Sequence, residues 1–271
     1  MAAQKVPKTG ILLVAFGTSV PDAQRAYRQI EQRVQAAFPD TGIRWGFTSS
    51  MVRHKLEQSG QTAYSPASAL ARMADEGFTH VAVQSLHVIP GYEYHDLLRV
   101  VHSMQGLPKG IQRITVGDPL LTSHDDMASV TGILANWVQT FRHPGDAVVF
   151  MGHGTNHPSN IYYPGLQFYL GERDPMLFVG TVEGYPSVDD VVKKLKTRLP
   201  QKVWLVPLMT VAGDHALNDM TGNNGQSWEE IMQREQIPAQ AVLKGLGQID
   251  EITDVWIAHL RTALGQLADN R

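Results

Sequence analysis

The chain contains no cysteine. That excludes disulfides, thiolate metal sites and cysteine nucleophiles, and leaves histidine, aspartate, glutamate and methionine to hold any transition metal. It has no stretch approaching the roughly 20 apolar residues of a membrane-spanning helix, and no long basic run. With a formal net charge of −3, neither nucleic acid, an anionic membrane surface nor membrane insertion is expected. An HExxH pair and a second acidic cluster, the marks of many metal-dependent hydrolases, are also missing. No apolar leader stands at the amino terminus. Ala2-Ala3-Gln4-Lys5 resembles what remains after export cleavage, with Met1 added ahead of it, so the periplasm is the expected compartment; an ordinary cytoplasmic start fits the same residues.

What is present is a chain of 271 residues, 43% hydrophobic and 18% charged, with eleven histidines. The size suits one large α/β domain or two lobes. The stretch Val148-Val149-Phe150-Met151-Gly152-His153-Gly154-Thr155-Asn156-His157 organises the reading. An apolar run of buried-strand type breaks at two glycines flanking a histidine. This puts an imidazole at the carboxyl end of a strand, the edge where open α/β sheets bind ligands. Alone, the pattern also fits a glycine turn with a histidine facing water.

Similar signals recur along the chain. Strands are expected at Gly10–Phe16, Ile43–Thr48, Val81–Ile89, Ile114–Val116, Ala147–Met151, Met176–Thr181, Lys202–Val211 and Ala241–Leu246. Helices are expected from Ser19 or Asp22 to Phe38, from Ser49 or Ser50, and over Pro66–Gly77, Tyr92–Met104, Met127–Phe141, Ser187–Leu199, Trp228–Glu235 and Asp250–Leu267. Strands alternating with helices imply mostly parallel sheets with right-handed crossovers. The halves also match each other. Ala15-Phe16-Gly17-Thr18-Ser19 pairs with Gly152-His153-Gly154-Thr155-Asn156, an offset of 137, and Val81, Val83, Leu86 and Gly91 pair with Val203, Leu205, Leu208 and Gly213, an offset of 122. The expected fold is two doubly wound, Rossmann-like α/β lobes related by internal duplication, with the active-site cleft between them. Residues 1–124 would form the first lobe and 125–249 the second, carrying the metal ligands, with the carboxy-terminal helix in 250–271 packing back on the first.

Three expected strands of the second half end in a metal-competent residue beside or near a glycine: His153, Glu183 and His215. Two imidazoles and a carboxylate make an open set for a divalent first-row metal. The first half has Phe16 where the second has His153, so one lobe offers ligands and the other an apolar wall.

These residues stand in motifs that resemble the anaerobic, class II cobalt chelatases of cobalamin biosynthesis, which are related in fold to ferrochelatase. The resemblance covers nearly the whole chain, through LLVAFGTS, FTSSMVRHKL, VQSLHVIPGYEYHDL, VVFMGHGTNH, VGTVEGYPS and LVPLMTVAGDHALNDM. It implies ATP-independent insertion of Co(II) into sirohydrochlorin or its precursor precorrin-2. It also places the family's metal and catalytic residues on His153, Glu183 and His215, and implies a homo-oligomer. Insertion must remove two pyrrole protons, work suited to a neutral imidazole. His153 is the expected proton acceptor, with His215 and Glu183 holding the metal. The flat, carboxylate-rich substrate would meet backbone N–H groups at Gly17-Thr18-Ser19 and Ser49, the cations from Arg53 to Lys55, and ring-facing Phe16, Tyr92 and Met209; ordinary core packing and solvated helix faces account for the same residues. His95, between Tyr92, Tyr94 and an acid, departs from the commoner pattern. Some exported relatives bind haem, which makes His95 a candidate axial ligand to haem b iron. Iron insertion into the same ring, and a non-catalytic tetrapyrrole or metal carrier, are the alternatives.

Overall fold

The computed structural model describes residues 7–223 and 225–268. Met1–Val6, on which the compartment expectation rests, lie outside the described residues. The first half runs β1 (Thr9–Ala15), α1 (Gln24–Ala37), β2 (Gly42–Phe47), α2 (Ser50–Gln58), α3 (Pro66–Asp75), β3 (His80–Ser85), α4 (Tyr92–Met104) and β4 (Arg113–Gly117). The second continues with α5 (His124–Trp137), β5 (Ala147–Gly152), α6 (Tyr162–Arg173), β6 (Leu177–Thr181), α7 (Val188–Arg198), β7 (Val203–Pro207), α8 (Trp228–Arg234), β8 (Ala239–Ala241) and α9 (Asp250–Ala268). Each half folds into one parallel four-stranded sheet, ordered β2-β1-β3-β4 and β6-β5-β7-β8. Both sheets therefore reverse direction at their first strand, and the crevice outside that reversal is where such sheets place ligands.

The central strands read as unbroken apolar runs because helices cover both their faces. Ile11 to Val14 and Ala147 to Met151 are fully buried. Side chains of both sheets join in one core around Phe150, Leu166 and Trp256. Each such buried residue contributes about 1.5–3 kcal/mol relative to exposure. Helix α9 crosses back to the first sheet. Ala263 accepts from Thr115 Oγ1 (2.8 Å), and His259 Nδ1 donates to the Asp118 carbonyl (3.1 Å).

The two sheets share more than strand order. Leu86 N–H donates to Val14 O (2.8 Å) as Leu208 N–H does to Met151 O (2.7 Å). Ser49 N–H donates to Phe16 O (3.1 Å) as Glu183 N–H does to His153 O (2.7 Å). His95 N–H donates to Gly91 O (3.1 Å) as Leu217 N–H does to Gly213 O (3.1 Å). Gly17 and Gly154, matched in sequence, both have positive φ, 108° and 82°.

Some expected elements differ. The helix Tyr162–Arg173 was not anticipated, because Tyr-Tyr-Pro-Gly reads as a turn; Pro164 is tolerated in the first turn, where backbone N–H groups have no partner inside the helix. The strand expected at Ala241–Leu246 lies instead at Ala239–Ala241, where it pairs with Val203–Leu205. Strands β3 and β7 end at Ser85 and Pro207, short of Ile89 and Val211. Helix α1 starts at Gln24 after a turn, with no side-chain cap, so neither Ser19 nor Asp22 caps it.

Candidate active site

A cleft of about 810 Å³ opens between the carboxyl edges of the two sheets. His153, Glu183 and His215 all line it. His153 follows β5, Glu183 follows β6, and His215 lies in the turn that leads into a π-helical segment, Ala216–Met220. The two imidazoles stand at right angles with ring centroids 4.4 Å apart.

Their hydrogen bonds fix which nitrogen is available. His153 Nδ1 lies 2.9 Å from the Gly154 carbonyl. A carbonyl only accepts, so Nδ1 carries the proton and Nε2 keeps its lone pair. His215 Nδ1 lies 2.5 Å from Asp219 Oδ2, and the same logic frees its Nε2. A carbonyl or carboxylate behind a histidine is the usual support for a metal-binding imidazole, since it sets the tautomer and orients the ring. The spacing His215-x-x-x-Asp219 puts both on one face of a helical turn; it was legible in the sequence and went unread.

The local backbone is built for close approach. A Cβ on Gly154 would lie 2.6 Å from the Glu183 backbone, so only glycine lets the two loops meet. Beneath them the Tyr163 hydroxyl accepts from the backbone of Gly154 and His153, and burial pushes its pKa up to about 12. It stays protonated and structural. Tyr27, which accepts from Gly17 N–H (3.2 Å), plays the same part in the first lobe. Among the described residues no three ligand-type side chains are drawn tightly around one point. Glu183 is exposed on its loop, on the same cleft wall as the two imidazoles.

Of the expected substrate-contacting residues, Phe16, Gly17, Thr18, Ser49, Tyr92 and Met209 line the cleft. Phe16 is 46% exposed, an apolar side chain displayed where the second lobe displays His153. Ser19 and Arg53 do not line it. Arg53 Nη1 donates to the carbonyls of Phe47 (2.6 Å) and Thr48 (2.7 Å), closing the end of β2. Gly17-Thr18-Ser19 is not a helix start either: Thr18 Oγ1 accepts from Val20 N–H (3.1 Å) within a turn. Ser49 caps α2, accepting from Val52 N–H. Among the described residues Lys55 is the only lysine or arginine on the wall, and its Nζ lies 3.4 Å from Asp214 Oδ2. His95 lies outside the cleft wall, on the exposed side of α4.

Two wall residues escaped the sequence reading. Glu93, in the first turn of α4, occupies the first-lobe position equivalent to His215, two residues after the matched Gly91 and Gly213. His87 follows Leu86 as Met209 follows Leu208. Extending the internal match by two residues would have found both.

Two like lobes face each other over a cleft in this α/β protein, and one lobe carries paired Nε2 donors and a carboxylate, donor types that suit a divalent first-row metal. The family model "Cobalt chelatase (CbiK)" matches residues 9–265. The sirohydrochlorin cobaltochelatase CbiKC of Nitratidesulfovibrio vulgaris is 38% identical over 262 residues, 97% of this chain and 93% of that protein. The sirohydrochlorin cobaltochelatase of Salmonella typhimurium is 37% identical, covering 97% of this chain and 98% of its own. SirB from Bacillus subtilis, solved with Fe3+, shares the fold with a TM-score of 0.66 at 17% identity, over 97% of this chain and 98% of that one. The chain belongs to the cobalt chelatase family.

Proposed function

We propose that this chain inserts Co(II) into sirohydrochlorin without ATP, with the metal delivered from the second lobe. The observation that carries the reading is the histidine pair: two imidazoles 4.4 Å apart, each with Nδ1 tied to an oxygen and Nε2 left as a lone pair, on the same wall as Glu183. Insertion exchanges one dication for two pyrrole protons. His153 Nε2 accepts the two ring protons in turn, passing each to solvent in the open cleft, and His215 with Glu183 holds the ion until the ring nitrogens replace them. Phe16 and Met209 offer the apolar surface a flat ring needs. Asp219 keeps His215 in the ligand tautomer and stabilises positive charge on it.

Mixing protein with excess cobalt(II) and sirohydrochlorin and following the ring's absorption tests this. Many turnovers per chain are expected. A shift that stops at one equivalent identifies a carrier. Faster turnover with iron(II), which the same donor types suit, identifies an iron chelatase acting on that ring.

The same proposal includes haem and self-association at the His95 face. His95 Nδ1 donates to Gly91 O (3.0 Å), leaving Nε2 as a ligand. Its neighbour His157, with ring centroids 5.0 Å apart, is held the opposite way: Ser159 N–H donates to His157 Nδ1 (3.1 Å), so the proton sits on Nε2. Tyr92, whose ring centroid lies 4.7 Å from that of His157, is 52% exposed and offers aromatic surface to a porphyrin edge or a second copy. His95 would supply one axial bond to haem iron. Protein from a haem-supplied host should show a Soret band that His95→Ala removes and His153→Ala keeps. Absence of that band in the wild type contradicts the haem reading.

A further inference from the structure

His87 is a buried donor with nothing to donate to. It sits where the lobes meet: the preceding carbonyl of Leu86 accepts from Thr210 Oγ1 across the junction (2.5 Å), and its own carbonyl accepts from Leu120 N–H (2.9 Å). Its Nδ1 lies 2.9 Å from the hydroxyl of Ser85, a fully buried residue. The His87 main-chain N–H donates to that same oxygen (3.4 Å). Among the described residues this hydroxyl has no other acceptor, so its proton goes to Nδ1 and the ring proton must be on Nε2. Nε2 is shut off from solvent and has no partner, although the side chain forms part of the cleft wall. Native structures pair nearly all buried polar atoms, and an exception calls for a reason. The scaffold does not demand this one, because the equivalent residue in the second lobe is Met209, which has no donor.

Among the described residues the cleft has a single lysine or arginine, Lys55, to offer an acidic ligand. Most carboxylates of a bound ring must then be met by neutral donors. The ring nitrogens belong with His153 and His215 on the second lobe, so an acceptor that reaches His87 comes from the ring periphery. We infer that His87 is a substrate-binding residue: the entering ring displaces the side chains that cover Nε2, and Nε2–H then donates to a peripheral carboxylate of the ring. This rests on the chelatase reading for the identity of the ligand. Burial depresses the imidazole pKa to about 4, so His87 meets the ring neutral, with its single ring proton on Nε2.

The test is binding of metal-free sirohydrochlorin, followed by fluorescence, to the wild type, His87→Met and His87→Gln, with cobalt(II) binding and thermal midpoints measured alongside. His87→Met copies the second lobe and should weaken ring binding about tenfold, with cobalt affinity unchanged and thermal stability equal or higher, because an unpaired buried donor is removed. His87→Gln restores an N–H donor and should recover most of the affinity. Equal ring affinity in the wild type and His87→Met overturns the inference and leaves the chelatase reading standing. A wild type that binds the ring but never inserts cobalt overturns the chelatase reading and leaves His87 as a ring ligand. A wild type that binds no ring overturns both.

Discussion

The two lobes share strand order, loop hydrogen bonds and a positive-φ glycine, yet at three matched positions they display different chemistry. The second lobe shows His153, Glu183 and His215; the first shows Phe16, Ser49 and Glu93. The backbone device is therefore separable from the residues it presents: a strand end, a glycine and a short return loop present one side chain each to a shared cleft, whatever that side chain is. In the proposed reading, residue identity lets the second lobe handle the metal, and the first lobe forms the wall against which a flat substrate rests.

The comparison is broken most sharply by removing the second lobe's base. His153→Ala should lower the insertion rate by about 10²–10⁴-fold with an unchanged circular dichroism spectrum, whereas Phe16→Ala should act mainly on KM. A smaller effect separates ligand from support. Asp219→Ala leaves His215 in place but removes the acceptor behind Nδ1, and calorimetry should show cobalt affinity falling about 10–100-fold; unchanged affinity would mean that His215 is not a ligand.

The matched glycines sharpen the comparison further. At Gly154 an added Cβ would meet the Glu183 backbone at 2.6 Å, while at Gly17 its nearest neighbours would be side chains, a Val52 methyl at 3.0 Å and Phe47 at 3.4 Å. Both substitutions strain a positive φ, at a cost of about 1–3 kcal/mol. Gly154→Ala should show the larger loss in denaturant unfolding and should also weaken cobalt binding, which Gly17→Ala should leave intact.

His87 and Met209 differ in their response to acid. The folded imidazole has its pKa depressed to about 4, against about 6.5 in an unfolded chain. Between those values the unfolded chain binds a proton that the folded chain refuses, so stability falls as pH drops through that window and levels off below it. The contribution is up to about 3 kcal/mol, and His87→Met should remove that part of the slope in urea titrations at pH 7 and pH 4.5. The smallest change is expected at Arg53: Arg53→Ala should cost about 1 kcal/mol of stability through the lost bonds to Phe47 and Thr48, with KM for the ring unaltered.

Much of this was legible in the sequence because parallel strands announce themselves. Continuous apolar runs ended by glycine located β1, β3, β5, β6 and β7, and the topology of a parallel sheet then gathered His153, Glu183 and His215 at one edge without any contact being known. The residues that were misplaced depended on local hydrogen bonding that pattern cannot carry. Arg53 looked like a free cation and is spent on two carbonyls. Gly17-Thr18-Ser19 looked like a helix start, but the helix begins only at Gln24. His87 looked like one more strand residue, and its importance lies in an unpaired atom that only three-dimensional packing exposes.

The most direct measurement is a crystal soaked in cobalt(II) and examined at the cobalt absorption edge. The account predicts one strong anomalous peak in the cleft, about 2.0–2.2 Å from Nε2 of both His153 and His215, the range of first-row metal–imidazole bonds, with the Glu183 carboxylate turned toward it. Cobalt bound on the first lobe, or coordinated through Nδ1 with the Gly154 and Asp219 bonds broken, would contradict it.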